Sequence, residues 1–506
     1  MDPLFVLLIG VAIVFVGILV LKLHAFFTLT LAAMAVAAFS SPELIKNFYI
    51  EEGNAAVAKA TADMIGKGMS PEEAAEIAWV EHGVTDNQAE GLAKRSFGSR
   101  VALAFGVTCG KIGLVICMAS IIGTCLLDSG AALRIVRAIL KAMGEKRAPA
   151  AMGASGFFLG IPVFFDTVFY LLVPLAKGLA ASTKRNYGLY VLAIIAGGSI
   201  AHSQIPPTPG PLFVAEQLNI EIGLMMISGI IVGGIAAFSG MLYAKWINKR
   251  KPIPFRDLED GGNSKLKNWD EIKDSDLPNL WLSMTPIVLP LILLSGNTIL
   301  DGVAKSAGVE LAPWLAKTAS LLGDKNVALT LGACVGLFTL FRAKSGNESV
   351  KEAMQTALSS GGIVLMITCA GGAFGGMLQQ SGIREVVSQF GGGDGFWFLP
   401  MAFVLTAMIR TVQGSATVAM ITSVGILGPM AGDLSFHPIY LAMVIGFGSK
   451  PVPWMNDSGF WVISKMSGMT EGETLMNFSV MATIMAIVGL IASMVGAMVL
   501  PLNGLM

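Results

Sequence analysis

Long apolar runs separated by short polar segments dominate this 506-residue sequence. A helix that crosses a bilayer needs roughly 20 apolar residues. Only 13% of the residues are charged, against roughly 25% in soluble domains. Too few polar residues are present to cover a water-exposed surface, which excludes a soluble enzyme or a nucleic-acid-binding protein. The sequence predicts an all-α polytopic membrane protein with ten crossings, at about 3–21, 24–40, 101–128, 187–218, 222–246, 279–299, 327–343, 357–380, 438–463 and 474–501.

Two further apolar stretches are interrupted too early to cross. Residues 148–176 contain Gly160-Ile161-Pro162, and residues 397–430 contain Gln413-Gly414-Ser415. Gly and Pro end a helix, and the freed backbone is tolerated at membrane depth only where protein or water surrounds it. We therefore predict two re-entrant hairpins. The crossing after each hairpin is also broken, at 203–211 in the first half and at 450–457 in the second.

The two halves of the chain repeat the same order of hairpin and broken helix. A shift of 252 positions places Cys117 on Cys369 and Ile161-Pro162 on Gln413-Gly414. The predicted division is a first repeat at 1–246, a charged cytoplasmic linker at 247–278 and a second repeat at 279–506. Each repeat has five crossings, one re-entrant hairpin and one broken helix.

Lys and Arg in short loops predict the orientation, because these residues are more frequent in cytoplasmic loops than in loops on the opposite side. Residues 131–148 carry five basic residues and are assigned to the cytoplasm, whereas the polar insert at 41–100 is more acidic than basic and is assigned to the periplasm. Crossing 101–128 then runs inward and its copy 357–380 runs outward. The repeats are therefore predicted to be inverted, with both chain termini in the periplasm.

Inverted repeats with paired broken helices are typical of secondary transporters, whose substrate site lies near the middle of the membrane. Ionisable groups there are costly and often functional. Asp166, just after the tip of the first hairpin, is a candidate for carrying a proton or pairing with a cation. Alternatively, it caps a helix. Arg410, just before the tip of the second hairpin, has a guanidinium group that suits a carboxylate substrate. Alternatively, its side chain extends toward the lipid headgroups. Asp457 is a second candidate ion carrier, unless it simply pairs with Lys450.

The remaining candidates are polar groups at the tips and breaks. His202 precedes the first break and either contacts a hydroxylated substrate, relays a proton or has a structural hydrogen bond. At the second tip the backbone N–H groups of a half-helix start suit an anion. The predicted substrate-binding residues are Arg410, Gly414, Ser415, Thr417, His202, Asn456 and Pro162.

The sequence lacks the motifs of several other membrane proteins. Residues 106–111 read GVTCGK, which departs from a phosphate-binding loop, and no HExxH occurs. We predict no enzymatic activity, no cofactor and no metal site.

Several ordered motifs resemble the gluconate/proton symporter family, within the wider ion transporter superfamily. They are LLDSGAALRIV (126–136), ASGFFLGIPVFFDTVFYLLVPLA (154–176), HSQIPPTPGP (202–211), RTVQGSATVAM (410–420) and NDSGFW (456–461). The resemblance implies proton-coupled import of gluconate or a related small hydroxy-carboxylate through the inner membrane, by a homodimer with an elevator-like movement. The positions that match the family's functional motifs are Gly160 to Asp166, His202, Pro206, Pro207, Arg410, Gly414 to Thr417, Asn456 and Asp457.

This chain departs from the family at two positions. Gluconate transporters often have His where Thr208 stands, and commonly have His where Trp454 stands. We expect these changes to alter substrate choice or proton handling. Three alternatives stay open: coupling to Na⁺ through the Ser415 and Thr417 hydroxyls, a passive anion channel, and a sensor that binds a partner through the 41–100 insert.

Overall fold

The computed structural model describes residues 2–21, 23–66, 69–183, 186–254, 272–307, 311–344, 347–382 and 396–502. Over these residues the regular structure is helical and contains no β-strand, as the sequence predicts. The first half contains α1 (Pro3–Phe15), α2 (Ala25–Phe39), α3 (Pro42–Gly66), α4 (Pro71–His82), α5 (Asp86–Ala93), α6 (Phe97–Asp128), α7 (Ala131–Met143), α8 (Ala148–Leu159), α9 (Phe165–Thr183), α10 (Tyr187–Gln204), α11 (Pro209–Gln217) and α12 (Ile222–Arg250). The second half contains α13 (Leu280–Ala307), α14 (Pro313–Leu322), α15 (Lys325–Lys344), α16 (Asn347–Gln380), α17 (Phe398–Gln413), α18 (Ala416–Leu427), α19 (Ile439–Gly448), α20 (Ser458–Ser467), α21 (Glu471–Thr474) and α22 (Val480–Val499).

Seven helices of the described chain are long and apolar enough to cross a bilayer, or eight if α2 and α3 form one bent span. Each of the seven coincides with a predicted crossing. They are Phe97–Asp128, Tyr187–Gln217, Ile222–Arg250, Leu280–Leu300, Lys325–Lys344, Val350–Gln380 and Glu471–Val499.

Three predicted crossings are not among these long apolar spans, so the expected number of ten is too high by this measure. Helix α1 ends at Phe15 and continues only as a π-helical segment to Val20. Helix α2 has 15 residues, which span about 22 Å, less than the roughly 30 Å hydrocarbon core. The predicted crossing 438–463 consists of two short helices, α19 and α20.

Helix interruptions occur at the four places where Gly, Pro and polar residues predict them. Residues 160–164 separate α8 from α9, and Gly414-Ser415 separates α17 from α18. We call these the first and second tips. Helix α10 ends before residues 205–208, and α19 is separated from α20 by residues 449–457. We call these the first and second breaks.

The contacts divide the chain into two compact units. The first consists of Met1–Cys109, Cys369–Gly393 and Gly425–Asp433. In it α1 packs on α2, and α3 of the insert packs on α4 and α5. The buried guanidinium of Arg100 donates hydrogen bonds to Gln380 Oε1 at 2.9 Å and to the Ala37 carbonyl at 2.6 Å. The predicted insert is thus helical over most of its length.

The second unit consists of Gly110–Thr368, Asp394–Val424 and Leu434–Met506, and α10 is its central helix. In an apolar window of 18 residues, 94% of the Tyr187–Gln217 span is buried within the protein, whereas the corresponding window of Phe97–Asp128 is 33% buried. Helix α8 packs on α10 backbone to backbone: a Cβ on Gly197 would lie 2.0 Å from the Gly153 carbonyl oxygen. This close packing fixes the first hairpin against the helix that carries the first break.

The predicted linker at 247–278 is only partly visible, because residues 255–271 lie outside the described residues. Beyond them Arg137 Nη1 donates a hydrogen bond of 2.6 Å to Asp274 Oδ1. This bond, and the nearby Arg134, lower the pKa of Asp274 from its ordinary value. The end of the linker is thereby attached to the basic helix α7.

Candidate functional site

A cavity of about 260 Å³ lies within the second unit, next to the second tip and the second break. The end of α10 and the start of α9 also contribute to its wall. Seven of the nine predicted site residues line it: Asp166, His202, Arg410, Gly414, Ser415, Thr417 and Asp457. The structure therefore brings together residues that are up to 291 positions apart in sequence, as Asp166 and Asp457 are.

Arg410 and Asp457 form a buried ion pair at the cavity wall. Arg410 Nη2 donates to Asp457 Oδ2, and Arg410 Nε donates to the Ser449 carbonyl at 2.9 Å. The two side chains are 6% and 9% exposed. Arg410 Nη1 is buried and has no hydrogen-bond partner among the described residues. The guanidinium thus connects α17 to the second break and keeps one nitrogen available.

Asp457 has a second structural role as the N-cap of α20. Its Oδ1 accepts a hydrogen bond of 2.7 Å from the Gly459 N–H. One oxygen therefore satisfies an otherwise unpaired helical N–H and the other binds Arg410. The alternative pairing of Asp457 with Lys450 does not occur here.

Asp166 is the second acidic group of the cavity and differs from Asp457 in its contacts. It lies in the first turn of α9 and is half-buried beside Phe165. In the described part of the chain its carboxylate has neither a hydrogen bond nor an ion pair. A methyl group placed on Gly459 would lie 3.6 Å from Asp166 Oδ1 and 3.2 Å from Asp457 Oδ1. The two carboxylates thus flank the same backbone segment, and Asp166 is the one that is available.

His202 lies in the last turn of α10, before the first break. Its ring meets Phe164 of the first tip edge to face, with centroids 5.9 Å apart. Its Nδ1 is buried without a partner among the described residues. The aromatic contact orients the imidazole, whose free nitrogen is suited to a polar ligand.

The second tip begins a helix at the cavity. Gly414 has φ +78°, a left-handed conformation that glycine adopts without strain. The Ser415 hydroxyl accepts a hydrogen bond of 3.3 Å from the Val418 N–H, which caps the start of α18. Residues 414–418 all line the cavity. A helix start with N–H groups at a cavity wall is suited to an anion.

Two predicted site residues lie away from the cavity wall. Asn456 is exposed, and its amide nitrogen donates to the Thr411 carbonyl at 2.8 Å. Pro162 is buried in the first tip, where its carbonyl oxygen approaches Gly123. Both contacts support the backbone of a tip, so direct substrate contacts of Pro162 and Asn456 stay predictions.

Lys450 lines the cavity and was not among the predicted substrate ligands. Its presence in the apolar stretch that includes α19 was visible in the sequence, but its orientation was not. The cavity wall formed by the described residues thus contains two basic groups, Arg410 and Lys450, two acidic groups, Asp166 and Asp457, and the imidazole of His202.

The described residues form seven segments that are long and apolar enough to cross a membrane, and a polar cavity at broken helices, which is the pattern of a multi-pass membrane transporter. The family model described as GntP family permease matches residues 82–499. The chain therefore belongs to this family of permeases and is a transport protein, not an enzyme. The resemblance seen in the sequence motifs is confirmed.

Individual relatives agree with this assignment, and a solved structure shares the fold. The chain is 31% identical over 396 residues to the low-affinity gluconate transporter of Escherichia coli strain K12, covering 77% of this chain and 86% of the relative. It is 28% identical over 407 residues to the Gnt-II system L-idonate transporter of the same strain, covering 80% and 89%. The structure of MtrF from Neisseria gonorrhoeae has a TM-score of 0.60 at 17% identity, covering 80% of this chain and 84% of that one. The last similarity concerns the fold alone.

Proposed function

We propose that this permease is a secondary active transporter that imports gluconate or a related small hydroxy-carboxylate together with protons through the inner membrane. The observation that carries the proposal is the cavity at the second tip, in which two cations, a capped helix start and an unpaired carboxylate share one wall. The similar transporters named for gluconate and L-idonate support a substrate of this class.

The charge of the cavity wall supports proton coupling. With His202 neutral, Arg410 and Lys450 balance Asp166 and Asp457. A bound monocarboxylate would leave one uncompensated negative charge in a space largely removed from water, which is unfavourable. A single proton on Asp166 restores neutrality without breaking the Arg410–Asp457 pair. We therefore assign the coupling proton to Asp166 rather than to Asp457, with one proton for each carboxylate.

The transport movement in this proposal is alternating access between inverted repeats, the first at 1–246 and the second at 279–506. The repeated order of tip and break supports this division. The N- and C-termini lie in the periplasm in the same scheme, and the protein is a homodimer with an elevator-like movement. Labelling from each membrane face tests the scheme, because inverted repeats require 101–128 and 357–380 to run in opposite directions.

Na⁺ coupling is the main rival on the same fold. The Ser415 hydroxyl already accepts the Val418 N–H, so of the two proposed hydroxyl ligands Thr417 is the less engaged. Uptake of labelled gluconate into proteoliposomes, with an imposed pH gradient or an imposed Na⁺ gradient, separates the two ions. Accumulation driven by pH alone is expected.

The Asp166→Asn variant completes this experiment. Loss of pH-driven accumulation with retained exchange of labelled for unlabelled gluconate is expected, because a proton carrier is needed for net coupled movement only. Accumulation driven by Na⁺ alone would replace the proton mechanism by the sodium mechanism. Equilibration without accumulation under either gradient would favour a passive channel.

A further inference from the structure

Lys450 is a buried cation at the cavity wall. It is the second residue after α19, within the second break, and it is 8% exposed. Among the described residues its ammonium group has neither a hydrogen bond nor an ion pair. Taking an ammonium group out of water without a partner is strongly unfavourable. Such a group at a substrate cavity points to a negatively charged ligand.

The neighbouring charged groups do not supply the missing partner. Asp457 uses one carboxylate oxygen for Arg410 Nη2 and the other for the Gly459 N–H. Arg410 Nε donates to the carbonyl of Ser449, the residue immediately before Lys450. Arg410 is thus held against the backbone that carries Lys450, and two of its three nitrogens are already engaged.

Both cations line the same 260 Å³ cavity. Lys450 offers three N–H donors and Arg410 offers Nη1, while one carboxylate accepts about four hydrogen bonds. With Asp166 protonated, as proposed above, and Asp457 paired with Arg410, Lys450 is the one excess positive charge of the wall, so a second negative charge on the ligand would be uncompensated. The wall therefore suits one carboxylate on an otherwise uncharged, hydroxylated molecule.

We propose that Lys450 is the principal charged ligand of the substrate carboxylate and selects monocarboxylates over uncharged polyols and dicarboxylates. Arg410, which the sequence favoured for this role, holds the second break in place and contributes only Nη1. The proposal rests on the proposed function, since it requires that the transported molecule is a carboxylate.

Lys450→Met tests the proposal, with Lys465→Met as a matched control. Lys465 lies in α20, is exposed and lies 6.0 Å from the centre of the Trp461 ring, outside the cavity wall. Gluconate uptake into proteoliposomes is measured over a range of concentrations, alongside thermal shift of the purified protein with gluconate and with glucitol, its uncharged alcohol. We expect Lys450→Met to raise the KM for gluconate about 10- to 100-fold, the loss of a charge-assisted hydrogen bond.

Lys450→Arg distinguishes charge from general structural damage. It is expected to recover part of the gluconate affinity, because it restores the cation, and its maximal rate should stay closer to the wild type than its KM. Lys465→Met should leave both parameters unchanged. Thermal stabilisation by gluconate should be lost in Lys450→Met, while glucitol stabilises none of the proteins.

Two results would overturn the assignment of Lys450. One is an unchanged KM in Lys450→Met, and the other is an equal loss of maximal rate in Lys450→Met and Lys450→Arg without a change in KM. These results differ from a failure of the proposed function, in which the wild type itself neither accumulates gluconate under a pH gradient nor is stabilised by it. If Lys450→Met does not fold, Lys450→Gln takes its place in the same comparison.

Discussion

Removing the charge of Asp457 is the most direct test of how the second break is held together. Asp457 neutralises the buried Arg410 and caps α20 through Gly459. Asp457→Asn keeps an oxygen for the Gly459 N–H but leaves the guanidinium without its counter-ion. Asp457→Ala removes both interactions. The two variants therefore separate the ion pair from the helix cap.

The burial of the pair sets the size of the effect. Breaking a buried ion pair by removing one partner destabilises a protein by about 3–5 kcal/mol, because a charge is left buried and uncompensated. Losing an N-cap costs about a further 1 kcal/mol. We expect Asp457→Asn to lower the thermal unfolding midpoint clearly and Asp457→Ala to lower it further. The double variant Arg410→Gln with Asp457→Asn should recover part of the loss, since it removes the uncompensated charge.

Thermal unfolding of the purified protein in detergent measures these changes without requiring transport. Asp86→Asn is the matched control, because Asp86 is 77% exposed and pairs with Lys46 at the surface. Surface ion pairs contribute little, so this variant should unfold like the wild type. If Asp457→Asn also unfolded like the wild type, or if the double variant were less stable by the full sum of the single changes, the pair would not hold the break. Arg410 would then be free to serve as the carboxylate ligand.

Two further predictions concern the second tip and the linker. Gly414→Ala should destabilise the protein by more than the roughly 1–2 kcal/mol of a left-handed alanine, since its methyl group would lie 2.2 Å from the Asn456 carbonyl oxygen. Gly472→Ala, where a methyl group meets open space, is the control for thermal unfolding. Equal unfolding midpoints of the two variants would contradict the close contact at Gly414. Arg137→Gln should raise the pKa of Asp274 toward its ordinary value in a carboxylate titration followed by NMR. Because the folded-state pKa of Asp274 is lowered, the small stabilisation from this pair is present above the unfolded pKa and lost as pH falls through the lowered one. An unchanged titration in Arg137→Gln would refute this cause.

The membrane itself explains why much of the fold is predictable from sequence. A crossing requires a long apolar run, and Gly or Pro within such a run must end the helix. The four interruptions therefore follow from residues such as Pro162 and Gly414. The run at 24–40 gives a shorter helix than predicted, because the polar turn at Ser40 ends α2 after 15 residues and α3 continues separately.

The partners of the charged residues are not predictable in the same way. The sequence suggests Lys450, seven residues away, as a partner of Asp457 and gives no sign of the pair with Arg410. Which one pairs depends on side-chain directions in the unwound segment 449–457, where no helical or strand period constrains them. The structure turns Arg410 toward Asp457 and the Ser449 carbonyl, and leaves Lys450 at the cavity. Arg410, which the sequence favours as the carboxylate ligand, thus has a structural role as well, and its role toward the substrate stays a prediction.

A side chain's structural role must also be distinguished from a role toward the substrate at the two positions where this chain departs from the family pattern. Thr208 is buried and donates a hydrogen bond of 2.7 Å to the Ile205 carbonyl, which closes the first break. The Trp454 indole N–H donates at 2.6 Å to the Thr411 carbonyl and supports the second tip. An imidazole N–H could donate to a carbonyl at either position, so both replacements are compatible with the same backbone-supporting role. Neither replacement titrates near neutral pH, however, and neither lines the cavity. In the proposed mechanism the coupling proton is therefore carried by a group of the cavity wall itself, and Asp166 is the group that we propose for it.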